Sequence, residues 1–281
     1  MTEAPHQGSR EGFVVRRILA AFGPATLSTG ALEGAADLAA RLGAELETLF
    51  VEDTALLEWT ELPFVRQLSL HGLPATPITQ RELELQLRAF SADAQRRLAA
   101  LAAPRQLRWS FRTARGQVQG EVVAAAMHAD LLVLGSTSRP FAREALFEPS
   151  VRALIGLIGA PVLLLRSEQP PHGPVHVVIE ASDQAGRLLD AAVMMAGTRA
   201  DSPIATVWVA EAPMQRQLEG EVARARFVVR VRRLSDPAGN EALIRAVAGG
   251  TLVLSATSRL LALQTWWQHF ARARCALFLV R

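Results

Sequence analysis

The chain has no lysine, no tyrosine and one cysteine, Cys275, in 281 residues. Without lysine there is no Walker phosphate-binding lysine and no catalytic lysine. No Gly-x-Ser-x-Gly marks a nucleophile elbow either, so several enzyme classes are excluded together. A lone cysteine forbids an intrachain disulfide. Also missing is an apolar run of the roughly 18 residues that a membrane helix needs; the longest, residues 154–165, is interrupted by Gly156, Gly159 and Pro161. The first dozen residues hold Glu3 and Glu11 and no apolar core. They are expected to be a disordered tail and not a signal peptide, which makes the cytoplasm the expected location and a membrane no partner. With arginine almost the only group left to titrate above about pH 9, a net charge of +3, from 30 arginines against 27 acidic residues, lifts the isoelectric point to about 10.5. That value overstates the basicity, and nucleic acid is not an expected partner.

What the chain does have is a sequence written twice. Residues 129–139 read Ala-Asp-Leu-Leu-Val-Leu-Gly-Ser-Thr-Ser-Arg, and residues 249–259 read Gly-Gly-Thr-Leu-Val-Leu-Ser-Ala-Thr-Ser-Arg. A closing apolar run follows each, at 160–166 and 275–281, and an opening apolar run precedes each, at 17–22 and 176–181. A period above about 100 residues is too long for a solenoid, so the duplication is of whole domains. The expected division is a tail at 1–12, domain 1 at 13–166, a proline-rich linker at 167–174 and domain 2 at 175–281. Domain 1 carries an insertion, 54–103, that domain 2 lacks.

Periodicity supplies the elements. Residues 14–22, 46–51, 108–112, 131–134 and 162–165 are expected strands, mostly unalternating, as suits strands buried on both faces. Helices are expected between them. Leu32, Ala35, Ala36, Ala39 and Leu42 form one stripe closed by Gly43. Thr79 and Glu82 form a capping box for a long helix ended by Pro104. The second copy repeats the order, with strands at 175–179, 204–209 and 227–231 and Asp183 capping a helix. Strict alternation of strand and helix implies an α/β fold: two doubly wound, five-stranded parallel-sheet domains in tandem.

The Ala-Asp-Leu-Leu-Val-Leu-Gly-Ser of residues 129–136, the Ser150-Val151 helix start and the Ala-Pro-Val-Leu-Leu-Leu-Arg of residues 160–166 resemble the universal stress protein family, a fold of the adenine nucleotide alpha hydrolase type. The tandem arrangement resembles its two-domain members. In nucleotide-binding members an acidic residue follows strand one, and Gly-x-x-Gly, about nine residues, then Gly-Ser/Thr follow strand four. Glycines admit backbone amides to the phosphates, and the helix N-terminus and hydroxyl add to the hold. The resemblance therefore implies ATP or another adenine nucleotide in domain 1, at the carboxyl ends of strands one and four. Carried over, the site residues are Gly23, Val51, Gly135, Ser136, Ser138, Arg139, Ser150 and Val151. Three positions depart from the pattern: Ser138 and Pro149 stand where glycines should, and Phe22 where the acid should. Arg139 and Arg143 could compensate with charge-assisted contacts. In domain 2 Ser255 replaces the leading glycine and no Gly-Ser follows, so its site is expected to be empty.

Other features read as structure. Glu52-Asp53 is expected to be a solvated turn rather than an acid/base pair. His172 and His176 are separated by Gly173-Pro174, which forbids the helix that would bring both rings to one side. Cys275 is expected to be a small buried hydrophobe, Trp266-Trp267 to pack on the sheet or the other domain, and the arginines at 224, 226, 230, 232 and 233 to form a solvated edge or partner contact. The reading is a stress-response binding or regulatory module whose domains pair as a pseudo-dimer through residues 162–165 and 277–280, with homo-oligomer formation left open. One alternative is an enzyme acting on an adenylated or phosphorylated small molecule at the domain 1 mouth. The other is an adaptor using the apolar groups of insertion 54–103.

Overall fold

The computed structural model of the chain describes residues 13–23, 29–62, 66–67, 76–135, 148–165, 174–197, 206–209, 230–233, 243, 245–247, 250–263, 266–267, 270 and 275–281. In chain order the elements of the first half are β1 (Arg17–Phe22), α1 (Thr29–Leu42), β2 (Glu45–Asp53), α2 (Thr54–Trp59), β3 (Arg66–Gln67), β4 (Thr76–Pro77), α3 (Gln80–Ala102), β5 (Trp109–Gly116), α4 (Val118–Ala126), β6 (Leu131–Gly135), α5 (Glu148–Leu157) and β7 (Val162–Leu165). The second half supplies β8 (Val175–Ile179), α6 (Ala185–Ala196), β9 (Thr206–Val209), β10 (Arg230–Arg233), β11 (Thr251–Ser255) and β12 (Ala276–Val280).

Ten of these strands form one sheet in the order β10-β9-β8-β11-β12-β7-β6-β1-β2-β5. Within each half the strands are parallel, and from the outer edge inward both halves run third, second, first, fourth, fifth. The halves meet at an antiparallel ladder between β7 and β12, with Leu277 opposite Leu164, Phe278 opposite Leu163 and Leu279 opposite Val162. Two flat apolar strands that would otherwise be exposed edges are thereby paired, and β5 and β10 become the outer strands.

Burial follows the strand period. Ile18, Ala20 and Phe22 of β1 face a core that α1, α3 and α6 cover, and Leu19 and Ala21 face a second core with α4, α5, Trp266, Trp267 and Phe270. Each core runs across both halves. Cys275 is buried at the head of β12, and both tryptophans pack on the sheet, with Trp266 stacked on Phe270 at 5.2 Å.

The structure departs from the sequence reading where interactions other than apolar periodicity decide. β5 runs on to Gly116, beyond Arg112, because Arg112 pairs with Glu47 and Arg115 with Glu52 across the ladder to β2. Asp183 does not cap α6; it lies in a 3-10 turn, Ser182–Gln184, and Gln184 at the N-cap makes no capping hydrogen bond, its side-chain amide donating to Thr257 Oγ1 at 3.4 Å instead. Val193, expected on the inner stripe of α6, is 40% exposed. The insertion is partly a regular crossover, since α3 joins β2 to β5 and buries Leu87, Ala94 and Leu98. Gly43 takes the left-handed conformation (φ 63°) that a C-terminal cap requires.

Candidate functional site

Strand order reverses twice, between β1 and β6 and between β8 and β11, and each reversal opens a mouth at the carboxyl ends of its strands. Because the halves join antiparallel, the two mouths open at opposite ends of the strands.

At the first mouth β6 ends on Gly135, one step beyond the Ala21–Leu134 pair and opposite Leu165 of β7, while Gly23 follows the last residue of β1. Ser150 and Val151 belong to the first turns of α5, and Pro149 sits in the opening turn, where a missing N–H removes no helical bond. Val51 is fully buried in β2 opposite Ala114 and faces the core shared with Val122. Its side chain is part of the packing. Ser136, Ser138, Arg139 and Arg143 lie outside the described residues. The side chain of Phe22 points into the core.

The carboxylates beside this mouth are already engaged. Glu52 is buried and accepts from Arg115 Nε at 3.2 Å; the same guanidinium donates to Glu84 of α3 at 3.2 Å. The hydrogen bond that Arg115 donates to the Glu52 carboxylate is the main cause that holds its guanidinium above its ordinary pKa range. Asp53 caps α2, accepting from Ala55 N at 3.0 Å. The pair is therefore neither a solvated turn nor a free acid/base couple, since an ion pair and a helix cap hold the two groups.

The second mouth holds a cleft of about 740 Å³, lined by Asp183, Arg187, Ser255 to Ser258 and Arg281, with Ile155 and Gly156 contributed by the first half. Ladder registers make Ile18 equivalent to Val175, since Ile18 lies opposite Leu131 and Val175 opposite Thr251. The residue after strand one is thus Gly23 in one copy and Glu180 in the other. The opening apolar runs, 17–22 and 176–181, are two residues out of step in the ladders. Glu180 accepts from Arg259 N at 3.1 Å and so ties down the turn after β11. Within that turn Ser255 Oγ receives Thr257 N at 3.2 Å, and Ser258 Oγ receives Leu260 N at 3.2 Å. These two turn amides are satisfied by the turn's own hydroxyls.

Residues 15–166, more than half of the chain, match the model of the universal stress protein family. The chain belongs to the universal stress protein family. Beyond the matched residues, likeness to solved structures spans both halves of this family member. A universal stress protein from Archaeoglobus fulgidus is similar over 96% of this chain and 97% of its own, with a TM-score of 0.66 and 13% identity. A functionally unknown protein from Pseudomonas aeruginosa PAO1 covers 95% of this chain and 93% of its own at a TM-score of 0.57 and 15% identity. A putative universal stress protein from Pseudomonas aeruginosa UCBPP-PA14 gives a TM-score of 0.56 at 14% identity, covering 95% and 94%. Identities this low show a shared fold and no more. No curated protein sequence matches this universal stress protein. Among its described residues no helix is long and apolar enough to cross a membrane.

Proposed function

We propose that this universal stress protein is a binding and regulatory module of the stress response, in which two domains, 13–166 and 175–281, pack within one chain as a pseudo-dimer. Its first mouth, in this reading, takes an adenine nucleotide. The observation that carries the proposal is the placement of Gly23 and Gly135 at adjacent strand ends with the α5 N-terminus to follow, an arrangement suited to a phosphate group. The β7–β12 ladder supports the pseudo-dimer. The engagement of Glu52 and Asp53 favours binding over acid/base catalysis at this mouth. Calorimetric titration with ATP, ADP and AMP, with and without magnesium, tests the reading. Saturable binding that Gly135→Val weakens at least tenfold is expected. Absence of binding by all three, or steady turnover of a bound nucleotide, would overturn it.

The adaptor alternative keeps one observation in its favour: Trp59 and Leu62 are 56% and 41% exposed, although Leu57 is buried.

A further inference from the structure

The cleft at the second mouth has lost the features of a phosphate cradle without closing. Its strand-four glycine is Ser255, its turn amides are satisfied internally, and Glu180 is engaged with Arg259 N. A cavity of about 740 Å³ remains, within the range of about 300–1,000 Å³ typical of small-molecule sites.

Its charged lining is Asp183, Arg187 and Arg281. Arg187 stands four residues after Asp183, a spacing that ordinarily pairs opposite charges on a helix. Nevertheless, among the described residues it makes no ion pair or hydrogen bond. Arg281 reaches across from the second half and donates through Nη2 to the carbonyls of Ile155 and Gly156, at the C-terminal end of α5. Its Nε and Nη1 have no partner among the described residues. Two guanidinium groups with donors to spare therefore line one cavity, beside the single side-chain carboxylate of Asp183, and Arg187 stands at its rim, where it also borders a shallower cavity that Asp130 and Met127 line. The rest of the wall is mixed, with the polar Gln184, Ser255, Thr257 and Ser258 beside the apolar Leu188, Leu261, Trp267 and Val280. No side chain caps the first turn of α6, whose entry residues Asp183 and Gln184 also line the cleft.

We propose that this cleft binds a small carboxylate with an apolar body, its charge held by Arg187 and the free donors of Arg281 and its body against Leu261 and Trp267. Guanidinium forks match carboxylate geometry, and two of them beside the Asp183 carboxylate suit a monoanion better than a nucleoside triphosphate. The site is independent of the nucleotide reading of the first mouth, because it shares none of its residues.

The test uses the full chain and 3-phenylpropionate, compared with its uncharged amide, by calorimetry. Saturable binding of the acid is expected, with the amide at least tenfold weaker. Arg187→Gln should weaken the acid to the level of the amide, and Arg187→Lys should restore part of the affinity. Arg187 is exposed on α6 without a protein partner, so both variants should fold as the parent does, which circular dichroism checks. Gly135→Val at the first mouth should leave binding of the acid unchanged, so a failure of the nucleotide reading is distinguishable from a failure here. The proposal is overturned by no saturable binding of the acid, by equal binding of acid and amide, or by an acid affinity that Arg187→Gln leaves intact. Competition by AMP that Arg187→Gln abolishes would also overturn it, since the cleft would then be a phosphate site.

Discussion

Asp130 and Gly250 occupy the same place in the two copies and solve one problem in opposite ways. The start of β1 leaves two amides to satisfy, and the Asp130 carboxylate accepts from Arg16 N at 2.8 Å and Arg17 N at 2.9 Å. At the start of β8 the equivalent of Arg17 is Pro174, which has no N–H, so a carboxylate has less to receive. There the backbone packs closer, and a Cβ on Gly250 would lie 2.1 Å from the Pro174 carbonyl oxygen. Gly250→Ala should therefore destabilise the chain by roughly 1–3 kcal/mol. Gly120→Ala on α4, where a Cβ meets nothing within 4 Å, should stabilise it by up to about 1 kcal/mol. Urea denaturation of both variants decides the matter; equal effects would mean that the contact with Pro174 is not limiting. The change from Asp130 to Gly250 is readable in the sequence, but its cause is not, because the cause lies in a residue 76 positions away in the chain.

At the scale of elements, α3 shows what local sequence can specify. Thr79 Oγ receives Glu82 N at 3.2 Å, and the Glu82 carboxylate receives Thr79 N at 2.9 Å and the Thr79 hydroxyl at 2.8 Å. Thr79→Ala should cost about 1 kcal/mol at neutral pH. The backbone hydrogen bond from Thr79, and secondarily its hydroxyl, hold the Glu82 carboxyl below its ordinary value of 4.5. A carboxyl with a depressed folded-state pKa favours folding above the unfolded value, and that contribution disappears as pH falls through the folded one. The stability gap between the parent and Glu82→Ala should thus be full above about pH 5 and narrow as pH drops below 4.5, followed by thermal unfolding across that window. A gap independent of pH would show that the carboxylate is not the group at work.

The same scale shows where legibility stops. The capping box, the unalternating strands β1, β6, β7, β8, β11 and β12 and the left-handed Gly43 depend on nearest neighbours, and periodicity finds them. The extension of β5 depends on Arg112 and Arg115 meeting carboxylates of β2, from 63 to 65 residues away. Burial of Glu52 depends on its pairing with Arg115. The second cleft depends on α5 of one half meeting Arg281 of the other. Nothing local marks such encounters, and the place of Glu180 follows from strand register, since the opening apolar runs 17–22 and 176–181 are two residues out of step.

For the whole molecule the decisive contact is the β7–β12 ladder. Phe278 stands at its middle, fully buried, opposite Leu163, and meets the ring of Phe13 edge-on at 5.9 Å. Phe278→Ala should cost about 3–5 kcal/mol, more than a comparable truncation at an outer strand, and guanidinium melts of the two would show the difference. Residues 163 and 278 belong to one polypeptide, so this ladder does not form by second-order association.

Holding both strands in one chain has a further effect at that ladder. In a two-fold dimer of identical chains, any substitution is made at two places, and each contact between two different interface residues occurs twice. Here Leu163 faces Phe278, and Ile155 and Gly156 of one half receive a guanidinium from the other. Each copy can therefore change alone while its neighbour keeps the scaffold standing. One mouth can keep a glycine, Gly135, at the end of its fourth strand while the other has Ser255 and a turn held by its own hydroxyls. Asymmetry of this kind is open to a tandem chain and closed to a homodimer.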